Sequence, residues 1–182
     1  MNQDRDDSGR VRKHVGWWIA ALAGLAGIGG LVFAIVSQEH FTIKEWSKAA
    51  NAACDSLHGE IVQGNEAAND AVDALADGGY QASGYQVAAD AFDALSSSER
   101  KLTGEMGRIE TPDSREGDVE RLLEGLNDVS DLDRSLAGEL REGVITDDSP
   151  FVADYYERRD SLVADVNEDF DSLDVRHCLA GE

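Results

Sequence analysis

The stretch FTIKEWSKAANAACDSL, residues 41–57, contains a helix start followed by the first turns of an apolar helical face. Thr42 and Glu45 have the spacing of a capping box, in which each side chain binds the backbone N–H of the other residue. Phe41 and Trp46 stand at the two positions of a hydrophobic staple. The sequence therefore predicts that a new helix begins directly after Phe41.

Apolar or small residues continue from this start at steps of three and four, which is a heptad-like spacing. On the first helix they are Ala50, Cys54, Leu57, Ile61, Gly64, Ala68, Ala71 and Leu75. Three later segments repeat the spacing: Tyr85, Ala88, Phe92, Leu95, Glu99, Leu102, Met106 and Ile109; Val119, Leu122, Leu126, Val129, Asp133, Leu136 and Leu140; and Val152, Tyr155, Arg159, Leu162, Val166, Phe170 and Leu173. Because the connections are short, these segments predict an all-α, antiparallel up-down-up-down four-helix bundle.

Residues 15–37 contain no charged side chain. A helix of that length would extend about 34 Å, enough to cross a hydrocarbon core of about 30 Å. Its glycines lack the preceding strand and the later acidic residue of a nucleotide-binding loop. The sequence therefore predicts a single transmembrane helix at 15–37, between a basic tail at 1–14 and an acidic helical domain at 38–182.

The predicted span has small residues at small-xxx-small spacing, which allows another membrane helix to pack closely. They are Ala20, Ala23, Gly24, Ala26, Gly27 and Gly30. Arg10, Arg12 and Lys13 precede the span, and this bias predicts a cytoplasmic N-terminus and an extracytoplasmic C-terminal domain at the cell membrane. A cleaved signal peptide is the alternative, but its apolar region normally has about 7–15 residues, so an uncleaved anchor is favoured.

The charge of the chain is distributed unevenly. The first fourteen residues carry four basic and three acidic side chains, whereas the remainder carries 12 basic and 34 acidic ones. An acidic domain of this kind argues against nucleic acid or an anionic membrane surface as a partner, because both are negatively charged. It leaves cations, basic partners or simple solubility as interpretations.

Cys54 and Cys178 bracket most of the acidic domain. Two cysteines in an exported domain most simply pair, and the first and fourth helices of the predicted bundle are antiparallel neighbours. Cys54 lies on the apolar face of the first helix, and Cys178 follows the last apolar turn of the fourth. A Cys54–Cys178 disulfide is therefore predicted, with two unpaired buried thiols as the alternative.

An Asp-x-x-His pair lies beside each cysteine, Asp55 with His58 and Asp174 with His177. If the disulfide forms, helical spacing brings His58 opposite Asp174, which predicts an ion pair between them. Ferritin-like bundles hold two metal ions with Glu-x-x-His at the same spacing. Aspartates replace the glutamates here and no matching carboxylates are found on the other apolar faces, so neither a metal nor another cofactor is predicted.

Asp133 and Arg159 interrupt two apolar faces at similar distances from the connection between the third and fourth helices. A partly buried ion pair between them is predicted, and such pairs more often fix register than add stability. The alternative is that both side chains extend into solvent and do not contact each other. The four histidines are scattered along the sequence, and no Ser/His/Asp or Cys/His arrangement predicts a catalytic residue or an enzyme.

Trp46, Ala50, Asn51 and Cys54 form the pattern Trp-x-x-x-Ala-Asn-x-x-Cys, and Cys178 stands near the C-terminus. With these residues the chain resembles a loose group of actinobacterial exported or membrane-anchored helical proteins. The resemblance implies no particular activity, but it supports the predicted disulfide.

Three functions fit these features. The first is a membrane-anchored, non-enzymatic subunit that binds another membrane or envelope protein through the span or through an exposed aromatic patch at Tyr155 and Tyr156. The second is an extracytoplasmic domain that binds a cation or small ligand on its acidic surface or in a pocket between helices. The third is a ferritin-like metal-dependent enzyme. Because catalytic patterns are missing, the first is favoured.

Overall fold

The computed structural model describes residues 41–143, 145–146 and 149–178, and the regular structure in these ranges is helical. Four long helices follow one another, with a single 3-10 turn before the third. They are α1 (Ile43–Asp77), α2 (Ala82–Met106), α3 (Glu116–Glu142) and α4 (Pro150–Ser172), and the 3-10 turn is Asp113–Arg115. The predicted all-helical bundle is confirmed for this part of the chain.

The predicted cytoplasmic tail and transmembrane helix lie outside the described residues. The same holds for the small residues expected to pack in the membrane, Ala20, Ala23, Gly24, Ala26, Gly27 and Gly30. In the part of the chain that the structure does describe, we find no helix with the length and apolarity needed to span a bilayer.

The start of α1 has the predicted capping box. The Thr42 hydroxyl accepts the backbone N–H of Glu45 at 3.3 Å, and the Glu45 carboxylate accepts the backbone N–H of Thr42 at 2.9 Å. The Glu45 carboxylate keeps its pKa below the ordinary value, chiefly because of this backbone hydrogen bond. Gly143 ends α3 with a φ of 69°, a left-handed conformation that glycine adopts without steric cost.

Helices adjacent in sequence pack against each other in the order α1–α2, α2–α3 and α3–α4. Cross-helix contacts show that each pair is antiparallel. In α3 and α4, for example, Arg121 contacts Asp169 whereas Asp133, further along α3, contacts Arg159, which comes earlier on α4. Consecutive helices therefore alternate in direction through the bundle.

The buried side chains are those of the predicted apolar faces, and they form two clusters. One cluster surrounds Trp46 at the disulfide end of the bundle, and the other surrounds Phe92 at the opposite end. Between the clusters the faces carry polar residues, namely Ser96, Glu99, Ser130, Asp133 and Arg159. The bundle thus has a polar layer at mid-height between two apolar halves.

α1 and α4 approach each other less closely than the three pairs of consecutive helices do. α4 packs tightly on α3 instead: a Cβ added at Gly125 would lie only 2.9 Å from the Cγ2 of Val166. The sequence predicted that α1 and α4 are direct neighbours, and in the structure a cavity lies between them. This opening lies beside the polar layer of the bundle, because Glu99 and Arg159 are among its lining residues.

Candidate functional site

The opening between α1 and α4 is a cavity of about 300 Å³, which we call the α1/α4 cleft. That volume is at the lower end of the range for small-molecule sites, about 300–1,000 Å³. Residues of α2 and α3 and the two cysteines of the Cys54–Cys178 disulfide are also part of its lining. Its apolar wall includes Ile61, Leu102, Leu126, Val163, Val166 and Phe170.

The predicted pair between Asp133 and Arg159 is confirmed in the polar layer beside this cleft. Arg159 Nε donates to Asp133 Oδ1 at 3.0 Å, and the hydroxyl of Tyr155 donates to the same oxygen at 2.6 Å. Asp133 is completely buried. Burial raises the pKa of the Tyr155 phenol, and the charge of Asp133 raises it further, so Tyr155 stays a hydrogen-bond donor.

Glu99 of α2 joins the same network from the other side. Arg159 Nη2 donates to Glu99 Oε1 at 3.3 Å. The buried Oε2 accepts no hydrogen bond from a described residue, and a hydrogen bond with Asp133 favours the protonated form of the Glu99 carboxyl group. The Glu99 side chain is only 8% exposed and lines the cleft. Arg159 therefore lies between two carboxyl groups, and its shortest hydrogen bond goes to Asp133.

Burial raises the pKa of Glu99 to about 8, and the neighbouring charge of Asp133 adds to this effect. Arg159 acts in the opposite direction but does not outweigh the two. Burial also disfavours the charged form of Arg159, yet the charge of Asp133 raises its pKa overall. At neutral pH the network therefore consists of one ion pair and a largely protonated Glu99.

The Trp-x-x-x-Ala-Asn-x-x-Cys pattern forms the surface of α1 that binds the C-terminal turn. The Asn51 side chain accepts the backbone N–H groups of Arg176 and His177, both at 2.9 Å, and donates to the Asp174 carbonyl at 3.0 Å. Trp46 and Ala50 are buried in the adjoining core. These residues thus have a structural role that the sequence pattern alone did not reveal.

The predicted disulfide is confirmed one turn further along this surface. Cys54 and Cys178 are bonded, and their Cα atoms are 5.2 Å apart. The disulfide attaches the end of the chain to α1 and, with Cys54 buried in the core, forms part of the cleft wall.

The predicted ion pair between His58 and Asp174 is wrong. The pair that forms is His177 with Asp55, whose Nδ1 and Oδ1 atoms are 2.8 Å apart on the exposed surface. α4 ends at Ser172, and Asp174 has a φ of 56°, so the helical spacing used for the prediction does not extend to this turn. His58 instead lines the cleft.

No group of three or more histidine, cysteine, aspartate or glutamate residues within the described ranges is arranged to hold a metal ion. The Asp-x-x-His motifs contribute one exposed His–Asp pair, and that pair has no third ligand in this part of the structure. The ferritin-like hypothesis therefore has no ligand set among the residues described.

The predicted exposed aromatic patch is wrong for one of its two residues. Tyr155 is buried and bonded to Asp133, whereas Tyr156 is 37% exposed. The sequence also placed Glu99 on an apolar face without identifying it as a site residue. The sequence does contain a signal for this role. Glu99 lies at the same height in the bundle as Asp133 and Arg159, so two acidic side chains are placed beside one basic side chain.

We expect Asn51→Ala to lower the free energy of unfolding by about 1–3 kcal/mol, because three backbone groups of the C-terminal turn lose their partner. Asn69→Ala is the matched control, since Asn69 is an exposed residue of the same helix. Urea unfolding of the full chain in mild detergent measures both. Equal effects of the two substitutions would show that the turn does not depend on Asn51.

Comparison with known proteins gives no relative from which a function could be transferred: no protein-family model, curated protein or solved structure matches the chain.

Proposed function

We propose that the protein is a membrane-anchored, extracytoplasmic and non-enzymatic binding protein, and that its helical bundle takes up a small ligand in the α1/α4 cleft. The proposal combines the predicted span at residues 15–37 with the cavity between α1 and α4. A concave, mostly apolar site with a few polar groups is the usual form of a small-molecule site.

The observation that carries the proposal is the cavity itself, which opens between α1 and α4 and is lined mainly by apolar side chains. Glu99 and Arg159 of the polar layer belong to the same lining. A ligand with an apolar body would bury hydrocarbon surface against this lining, which stabilises a complex by about 25 cal/mol for each Å².

The cleft favours the small-ligand hypothesis over the protein-binding one that the sequence favoured. A docking surface for a protein usually buries about 800 Å² on each partner, whereas this feature is a cavity of about 300 Å³ lined mainly by apolar side chains. Binding to another envelope protein through the predicted span stays a prediction, since the small residues concerned lie outside the described ranges.

We expect Val163→Trp to block the cleft, because Val163 lies in its wall on α4 and an indole would occupy much of the space. The probe is N-phenyl-1-naphthylamine, a neutral dye that fluoresces in apolar sites, titrated into the full chain in mild detergent. The substitution should weaken binding at least about tenfold, a loss of about 1.4 kcal/mol.

Val87→Trp is the matched control, since Val87 is 60% exposed and is not part of the cleft lining. It should bind the dye as the unaltered protein does, and urea unfolding should show that both variants fold. Saturable dye binding that is equal in the two variants would place the site elsewhere. Absence of saturable binding to the unaltered protein would contradict the proposed function.

A further inference from the structure

We propose that a second cavity of the bundle binds a methylated ammonium group, which Tyr80, Tyr156 and Asp73 hold together. We call this cavity the tyrosine pocket. It has a volume of about 180 Å³ and is lined by residues of α1, α3 and α4 and of the turns that follow α1 and α3. It lies in the half of the bundle opposite the disulfide and shares no described lining residue with the α1/α4 cleft.

The tyrosines of the chain are concentrated around this pocket. Tyr80 and Tyr156 line it. The ring centroid of Tyr80 lies 6.2 Å from that of the buried Tyr85, whose hydroxyl donates to the Ile145 carbonyl. The ring centroid of Tyr156 lies 5.1 Å from that of the buried Tyr155, whose hydroxyl donates to the aspartate of the polar layer. Each lining ring is therefore positioned by a tyrosine that a hydrogen bond fixes in place.

The backbone of Tyr80 indicates that an aromatic side chain is needed at this position. Tyr80 has a φ of 60°, a left-handed conformation that costs a residue with a side chain about 1–2 kcal/mol. Gly79 beside it has a φ of 68°, which glycine adopts without this cost. A second glycine would suit the turn better than tyrosine does. Strain of this kind is often found where a residue holds a ligand.

The charged residue in the described lining of the pocket is acidic. It is Asp73 of α1, whose side chain is exposed, so that a ligand can reach it. Burial raises the pKa of the Tyr156 phenol and the charge of Asp73 raises it further, which shows that these two groups interact. Arg159 has the opposite effect on the phenol, but the aspartate that it binds balances its charge. The pocket therefore attracts cations and repels anions.

The remaining lining side chains indicate which kind of cation fits. Most of them are hydrocarbon, including Leu75, Leu136, Leu140 and Val152. Calcium takes six to eight oxygen ligands, and a primary ammonium group has three donors that need acceptors. Hydrocarbon walls satisfy neither. Methyl groups around a nitrogen atom pack against such walls, and aromatic rings attract the positive charge, as in the aromatic cages that bind quaternary ammonium groups.

The size of the pocket agrees with a group of this kind. An apolar cavity of about 150 Å³ holds one benzene molecule, which is similar in size to a trimethylammonium group. The tyrosine pocket, at about 180 Å³, is slightly larger. The rest of the ligand would extend into solvent beside Tyr156, which is 37% exposed.

The experiment compares three small molecules: choline, ethanolammonium and 3,3-dimethylbutan-1-ol. Ethanolammonium has the charge of choline without the methyl groups, and the alcohol has the shape of choline with a carbon atom in place of the charged nitrogen. Binding to the full chain in mild detergent is measured by ligand-observed NMR, at about 0.15 M salt to screen the acidic surface. We expect choline to bind at least about tenfold more tightly than either of the others.

Substitutions test the residues of the pocket. Tyr156→Leu should weaken choline binding about threefold or more, whereas Tyr156→Phe should retain it, because the ring and not the hydroxyl attracts the cation. Tyr80→Gly should also weaken binding, in a variant that folds because glycine suits the left-handed turn. Asp73→Asn should weaken it similarly. Asp70→Asn is the matched control, since Asp70 is an exposed acid of the same helix outside the described lining.

The inference is overturned if choline does not bind saturably, or if the three molecules bind equally. It is also overturned if Asp73→Asn and Asp70→Asn have equal effects, because choline would then respond only to the general acidic surface. N-phenyl-1-naphthylamine binding is measured on the same samples and should not change with choline. The function proposed for the α1/α4 cleft is therefore tested separately, and either result can fail without the other.

Discussion

Removal of the Cys54–Cys178 disulfide is expected to lower the free energy of unfolding by about 5 kcal/mol. The two cysteines are 124 residues apart in sequence, so the bond closes a loop that spans most of the helical domain. In the chain-entropy account, the loss of such a cross-link increases the entropy of the unfolded chain by an amount that grows with the logarithm of loop length. Long loops therefore give the largest effects.

The measurement is urea unfolding of the oxidised protein, the reduced protein and the Cys54→Ala/Cys178→Ala variant. Cys54 is buried, so the variant includes a small packing loss that the reduced protein does not have. Asn51→Ala in the reduced background tests coupling, because Asn51 and the disulfide hold the same turn. A loss below about 1 kcal/mol on reduction would mean that the other contacts of the turn suffice, contrary to the chain-entropy expectation.

Reduction should also weaken dye binding, because both cysteines form part of the cleft wall. Dye binding is measured under conditions in which the reduced protein is still folded. A weaker affinity then reports a change in the cleft and not a loss of folded protein.

The apolar faces could be predicted from sequence because each of the four helices runs without interruption. On such helices, the number of residues from the helix start determines how far along the bundle axis a side chain lies. The spacing therefore predicts correctly that Asp133 and Arg159 face each other. In the structure, Arg159 Nε lies 3.0 Å from Asp133 Oδ1. The same reasoning failed for His58 and Asp174, because Asp174 lies beyond the end of α4 in a left-handed turn.

The cleft could not be predicted from the same spacing. Its existence depends on the distance between α1 and α4, and a heptad pattern sets which residues face inward but not how closely two helices approach. Gly125 provides a partial signal, since its missing side chain allows α4 to pack closely on α3. The role of Glu99 depends in turn on which carboxylate Arg159 favours, which only the arrangement in space determines.

The second large effect concerns pH, and it should be seen without any ligand. We expect the free energy of unfolding to fall as pH rises from about 4.5 to 8, because burial raises the pKa of Glu99 from 4.5 to about 8 in the folded protein. In this window the unfolded chain has lost the proton that the folded protein still holds, so rising pH favours unfolding. At about 1.4 kcal/mol per pKa unit, the fall is at most about 5 kcal/mol.

Glu99→Gln should abolish most of this slope, since the amide keeps the shape of the carboxyl group and does not titrate. Glu66→Gln is the matched control, because Glu66 lines the same cleft but is exposed to solvent. Carboxylates with lowered pKa values, such as Glu45 and Glu60, act below pH 4.5, where protonation removes their contribution. If the free energy of unfolding changes with pH in the same way for the unaltered protein and for Glu99→Gln between pH 5 and 8, Glu99 ionises freely in the folded bundle, contrary to the raised pKa.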